Sequence, residues 1–330
     1  MHKPIRSLRW PGIAALVMTA SLSAIAPQTH VAPTVQAAPT GDAFADPAFQ
    51  RVWERLDLPV AAHQVVRAWY WGPAAGRALN EVYDEGRGHI RQVQYFEKAR
   101  MEINNPAGDP TSKWYVTNGL LTVELVSGRV QFGNGRFDPN PTGGGPATIP
   151  LASDGDDANA PTYASFSNLA NTPLGDHKVT DRSNQVVQEV VSRAGAITPT
   201  SDNSRYGVRY VRFEPLTGHN IPNVFWDALT ARGPVRENGV TTDALLSDPW
   251  FFTSGLPISE AYWARVKIAG ALHDVLIQCF ERRVLTYVPD NAPEWRVQVG
   301  NIGSHYQQWR YPRGLPLPGP APTAVPTVGR

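Results

Sequence analysis

"QYFEKARMEI" (Gln94–Ile103) and "QCFERRVLTY" (Gln278–Tyr287) are two versions of one string set far apart in a chain of 330 residues. Whether they are one unit used twice decides how the fold is read. The likeness extends outward from both. Upstream, "GRALNEVY" (Gly76–Tyr83) and "GLPISEAY" (Gly255–Tyr262) share G-x-x-[LI]-x-E-x-Y; downstream, "WYVTNGLL" (Trp114–Leu121) and "WRVQVGNI" (Trp295–Ile302) share W-x-V-x-x-G-x-[LI]. Three blocks in the same order, with a nearly constant separation of about 180 residues, define a duplicated unit.

Each copy is preceded by a short amphipathic helix pattern, "VWERLDLPV" from Val52 and "FWDALTARGPV" from Phe225, with Trp and Leu three apart and a proline beyond to end it. Inside the copy, "VQYFEKARMEI" suits two short strands bending near Lys98 and Ala99, or a single long twisted strand. Lys-Ala and Arg-Arg are poor two-residue turns, because such turns favour residues tolerant of positive φ. Between the copies, "GRVQFGNGRF" and "YGVRYVRFEP" alternate apolar and polar residues, with Gly, Asn and Pro clusters separating them. "QVVQEVVSRAGAI" fits an edge strand or a two-turn helix, and the stretch from Pro139 to Thr162 reads as a long mobile loop.

The expected fold is α+β and β-rich, with two related helix-plus-hairpin modules (38–125 and 216–311) flanking a central antiparallel β domain (126–215). At the amino end, Lys3, Arg6 and Arg9 precede the apolar run "GIAALVMTASLSAIA", which reads as a secretory leader over 1–37; an uncleaved anchor is the alternative. Both place the bulk of the chain in an extracytoplasmic setting, secreted or at the cell surface. No membrane span is expected once the leader is removed. At the other end, 312–330 is proline-rich and reads as a semi-rigid tail.

Removing the leader leaves 27 basic against 29 acidic residues, a charge of about −2, which leaves no basic footprint for nucleic acid. Cys279 is the only cysteine, so no internal disulfide forms and burial is expected for its thiol.

The helix, "GLPISE", "IQCFERRVLTY" and "WRVQVGNIG" resemble, in order and chemistry, the LGFP repeat of bacterial envelope proteins. Gly255, Pro257, Ser259, Glu260, Gln278, Phe280, Gly300 and Ile302 carry the match. The chain from Ala45 to Tyr311 is also similar to a group of secreted bacterial proteins sharing "VQYFEKARMEI", "GHNIP" and "FERRVLTY". The resemblance implies an envelope or extracellular setting and no particular reaction.

Glu97 with Glu281, and Glu81 with Glu260, recur at like places in the two copies. Paired carboxylates are what a glycosidase needs, but recurrence in a duplicated unit favours a structural task such as bonding turn amides. Asp154, Asp156 and Asp157 offer clustered oxygens to a hard cation such as calcium, without the spacing of a calcium loop. Neither the histidines nor the single cysteine has zinc-ligand spacing, and no cofactor is implied.

Tryptophan is the stronger signal. Trp53 with Trp226, and Trp114 with Trp295, are repeat-equivalent and expected to pin each module's core. Trp69, Tyr70, Trp71, Trp250, Trp263 and Trp309 lack such counterparts and are candidates for gripping a glycan, with burial between the modules as the alternative. The polar loop with His219, Asn220 and Asn223 is expected to add selectivity. The reading is a non-catalytic module that binds cell-wall polysaccharide or peptidoglycan; a secreted glycosidase and a self-assembling surface protein are the alternatives.

Overall fold

Asp46 accepts a hydrogen bond from the amide of Ala48 (2.7 Å) and Pro47 takes the first helical position, which starts α1 (Pro47–Leu56). The computed structural model describes residues 41–316. The leader expected over 1–37 lies outside these residues, as does the expected tail beyond 316. Among the described residues no helix is long and apolar enough to cross a membrane.

After α1 and the single turn α2 (Leu58–Ala61), an antiparallel meander runs β1 (Ala75–Val82), β2 (Ile90–Phe96), β3 (Ala99–Ile103), β4 (Thr117–Asn118), in that spatial order. Helix α3 (Leu121–Ser127) follows and ends at Gly128, whose φ of 72° suits the left-handed cap. The central segment contributes the ribbon β5 (Arg129–Gln131) with β6 (Phe137–Pro139), then β7 (Glu189–Val191) and β8 (Ile197–Pro199), then β9 (Tyr210–Glu214). The second module has β10 (His219–Pro222), α4 (Asn223–Leu229) and the ribbon β11 (Arg232–Glu237) with β12 (Val240–Leu245). Its meander is β13 (Tyr262–Ile268), β14 (Ala271–Cys279), β15 (Val284–Tyr287) and β16 (Val297–Val299), closed by α5 (Ile302–Arg310). The fold is α+β and β-rich, with mainly antiparallel sheets.

The two meanders match strand for strand, but the central segment is tied to the second of them. β7 pairs parallel with β13 at Val190 and Trp263, giving a six-stranded sheet in the order β16-β15-β14-β13-β7-β8. Of the two readings of "QVVQEVV", the strand is the one adopted, though not at an edge: β7 lies between β13 and β8. The long stretch after Pro139 is less exposed than its composition suggested: Ala147, Leu151 and Ala160 are buried, and the Ala147 amide donates to the Leu125 carbonyl (2.8 Å). The main core draws Tyr95, Leu125, Phe166, Val266, Ile277 and Tyr306 from both modules and the central segment, and the described residues pack as one unit.

The bend in the shared string is a hairpin one residue earlier than expected. Phe96 pairs with Ala99 around Glu97-Lys98, and the Phe280 amide donates to the Arg283 carbonyl (2.8 Å) around Glu281-Arg282. Neither turn uses positive φ. The incoming segment holds them instead. Lys98 and Arg282 donate their amides to the carbonyls of Trp71 and Ser254 (both 2.9 Å), and Gly72 and Gly255 lie beneath, where a Cβ would come within 2.8 and 2.7 Å of the Glu97 and Glu281 side chains.

The same register corrects the equivalence of the upstream blocks. With Phe96 set on Phe280, Leu79 opposite Val93 corresponds to Tyr262 opposite Ile277, so Gly72, not Gly76, is the counterpart of Gly255. Glu81 therefore matches Ala264, and Glu260 matches Arg77. Those two glutamates are not equivalent.

Candidate functional site

Of the repeat-equivalent tryptophans, Trp53 is buried in the first module's core and Trp226 packs on the second's, as expected, and the unmatched ones follow the burial alternative. Trp71 and Trp263 are 0% and 1% exposed: Trp71 meets Phe96 edge-on, and Trp263 donates its indole N–H to the Val187 carbonyl (2.9 Å) while stacking on Tyr206. Trp69 and Tyr70 are half-buried against the first module's core. Trp250 is half-buried on Trp226, and Trp309 donates to the Gly145 carbonyl (3.1 Å) beside Tyr306. The repeat-equivalent Trp114 and Trp295, expected in the core, are 48% and 38% exposed. Each precedes its short strand by a few residues of loop, Trp295 at the end of a single 3-10 turn.

Those loops form the walls of two clefts. One, of about 480 Å³, lies between α1, residues 110–116 and the β11–β12 ribbon; Arg51, Arg55, Lys113, Tyr115, Arg236 and Phe252 line it, with Glu54, Glu237 and Asp248 supplying carboxylates. The other, of about 360 Å³, lies between α4 and residues 293–299; Arg67, Tyr70, Asp227, Ser254, Arg283 and Glu294 are among its walls. By the repeat register α4 answers to α1, residues 293–299 to 112–118, and Ser254 to Trp71, so the clefts are counterparts. Leu246 borders both. Trp114 adjoins the first cleft between Lys113 and Tyr115, 5.8 Å from the ring of Phe252; Trp295 follows Glu294 beside the second.

The other candidate residues have structural partners. His219 and Asn220 are not in a surface loop: both are fully buried in β10, where Glu260 accepts from the Asn220 amide (2.8 Å) and lies 3.3 Å from His219 Nδ1. Asn223 accepts from the Arg209 amide (3.1 Å) at the start of α4. Asp154 accepts from the amides of Ala269 and Gly270 (2.9 and 2.8 Å), Asp157 from that of Lys267 (2.7 Å), and Asp156 pairs with the Lys267 ammonium (2.6 Å), so these carboxylates hold the β13–β14 hairpin. Glu281 accepts from the Leu256 amide (2.9 Å), Glu97 lies 3.7 Å from Lys98, and neither lines either cleft. Cys279 is buried, and burial pushes its thiol well above the ordinary range.

Glu81 belongs to a buried charge layer that its sequence context did not reveal. Arg100 reaches Glu81 (3.3 Å), Glu102 (2.6 Å) and Glu124 (3.0 Å), Arg91 reaches Glu102 (3.1 Å), and the hydroxyls of Tyr95 and Tyr306 donate to Glu81 and Glu124 (2.6 and 2.5 Å). Burial raises the Glu81 carboxyl, but Arg100, Arg91 and the hydroxyls of Tyr95 and Tyr311 outweigh it and bring the pKa down to about 2. Satisfied on nearly every side, this layer is a scaffold. Sequence reasoning also passed over Arg67 and Arg283 as site residues; the paired Arg282-Arg283 at the hairpin between two apolar strands was the available signal.

No family model, curated protein or solved structure matches the chain.

Proposed function

We propose that the chain is a non-catalytic module of the extracytoplasmic space that holds cell-wall polysaccharide or peptidoglycan through its two related clefts. The observation that carries this reading is the pair Trp114 and Trp295. Duplication has kept an indole at the same place in both modules, and both rings lie open to solvent on segments whose neighbouring residues line a cleft, although the rings themselves do not line it. An exposed indole keeps its apolar surface in water with no core packing in return, and a flat ring beside polar side chains is a surface on which the apolar face of a sugar stacks. Around them, Arg51, Glu54 and Arg236 in the first cleft, beside the Arg55–Glu237 ion pair (2.7 Å), and Asp227 and Glu294 in the second offer donors and acceptors to hydroxyl groups. Glu97 and Glu281 bond the protein's own backbone or neighbours, which favours binding over hydrolysis.

Retention on purified bacterial cell walls tests the proposal, with an unrelated secreted protein as the control. The wild-type chain is expected to be retained, each of Trp114→Ala and Trp295→Ala to weaken retention, and the double variant to lose it. A wild-type chain that elutes with the control, or a double variant retained as well as wild type, overturns the reading.

A further inference from the structure

Arg283 is a buried cation without a counter-charge. Its side chain is 1% exposed, its guanidinium lies 5.0 Å from the centre of the Trp71 ring, and its one hydrogen bond runs from Nη1 to the Arg282 carbonyl at 3.3 Å. Nε and Nη2 are buried with no partner, and among the described residues no carboxylate lies within ion-pair distance of it. Asp57 attracts it from beyond ion-pair distance, but its oxygens are engaged elsewhere, accepting from the amides of Tyr70, Trp71 and Gly72 (2.9, 2.7 and 3.1 Å). Burial, reinforced by Arg282, pulls the Arg283 pKa down to about 9.

A buried guanidinium left this way is destabilising unless something else completes it. Arg283 lines the second cleft, and so does Arg67, whose Nη atoms donate to the carbonyls of Pro234 (2.9 Å) and Leu56 (2.5 Å) while its buried Nε has no partner. Tyr70, on the same wall, makes no hydrogen bond through its hydroxyl to any described residue. The acids of this cleft, Asp227 and Glu294, are exposed at its rim. The counterpart of Arg283 in the first module is Ala99, so the first cleft has no such cation at its base.

We infer that the second cleft receives the oxyanion of an acidic sugar, with Arg283 as its principal receptor and Arg67 as a second donor. A guanidinium fork fits a carboxylate or a phosphate in two parallel hydrogen bonds, and stacking on Trp71 fixes its plane in advance. The inference rests on the glycan-binding reading and narrows it: the second cleft takes a charged sugar.

Titration calorimetry on the full chain with glucuronate, glucose 6-phosphate and glucose tests this. At least one oxyanion sugar is expected to bind saturably, and glucose at least roughly tenfold more weakly; the carboxylate and phosphate arms tell which oxyanion is taken. Arg283→Met is expected to weaken that binding at least roughly tenfold and to raise the melting temperature of the free protein, because an apolar side chain replaces an unpaired charge. Arg283→Lys keeps the charge, loses the fork and is expected to bind between the two. No saturable binding of either acidic sugar, or undiminished binding by Arg283→Met, overturns the inference. A lowered melting temperature with undiminished binding overturns it too and makes Arg283 a structural residue. Wall retention that Arg283→Met leaves unchanged counts against this inference alone, whereas acidic-sugar binding without wall retention counts against the envelope reading alone.

Discussion

The carbonyl oxygen of Glu97, in the hairpin turn of the first sheet, accepts a hydrogen bond from the amide of Ser304 in the first turn of α5 (2.9 Å). The same contact is made in the opposite direction, where the Glu281 carbonyl accepts from Val123 in the first turn of α3 (3.4 Å). Amides in a helix's first turn have no acceptor within the helix. Each module supplies one for the other's helix, so the two copies of the unit are joined by reciprocal exchange, and the same junction places Trp71 over Arg283.

Gly303 is what lets α5 approach so closely. A Cβ there would come within 2.0 Å of the Phe96 carbonyl oxygen and 2.7 Å of the Ala99 amide, both backbone atoms. Gly303→Ala is expected to lower the unfolding free energy by about 3 kcal/mol or more, since the backbone on both sides has to part. Gly135→Ala, facing open space, is the control and should change stability little. Urea denaturation measures both, and an unchanged midpoint for Gly303→Ala would show that the helix does not close on the turn.

Tryptophan replacements should separate by place, not by repetition. Trp71→Ala empties a fully buried site and is expected to cost about 3–5 kcal/mol. Trp114→Ala and Trp295→Ala, at exposed positions, should each cost less than about 1 kcal/mol. Equal losses in urea denaturation would contradict the exposures from which the clefts are argued.

The legible part of the fold was the part written in short-range pattern. Repetition around Phe96 and Phe280 gives the two meanders, and the Trp-Leu spacing gives α1 and α4. The register of the upstream blocks was misread because Gly76 and Glu81 imitate Gly255 and Glu260 locally, whereas pairing is fixed by Val93 and Ile277 on the neighbouring strand. The hairpin turns lacked Gly or Asn because their support comes from Trp71 and Ser254, distant in sequence. The β11–β12 ribbon carried the signal that was overlooked: Asn238-Gly239, at φ 50° and 80°, is the dipeptide a two-residue turn prefers. The clefts were not legible. Their walls come from segments as distant as Arg67, Asp227 and Arg283, and an exposed indole looks the same in sequence as a buried one.

Acid should weaken the fold through Glu81. Its carboxyl titrates near 4.5 in the unfolded chain and near 2 in the fold. The folded pKa is the lower one, so the stabilisation is complete above about 4.5 and is lost as pH falls towards 2. The shift corresponds to on the order of 3 kcal/mol. Glu81→Gln is expected to be less stable at neutral pH and to show a shallower loss across that window, read as unfolding free energy against pH. A wild-type curve flat from pH 4.5 to 2 would contradict the charge layer as drawn.

Between about pH 6.5 and 4 two buried groups should oppose each other. Burial, with a smaller effect from Lys98, lowers the His305 pKa from its ordinary 6.5 to about 4, and the ring bonds the Tyr163 hydroxyl (2.9 Å). The unfolded chain takes up this proton first, so His305 removes stability as pH falls through the window. Burial raises Asp57 from 3.8 to about 6 against three amide hydrogen bonds and Arg67. Here the folded chain takes up the proton first, so Asp57 adds stability as pH falls from 6 to 3.8. The slopes have opposite signs over nearly the same range, and the wild-type unfolding free energy is expected to change little across it. His305→Asn leaves Asp57 unopposed. That variant should gain stability relative to its own value at pH 6.5 as the solution is brought to pH 4.5, and a variant that instead loses stability would show that Asp57 is ionised in the fold.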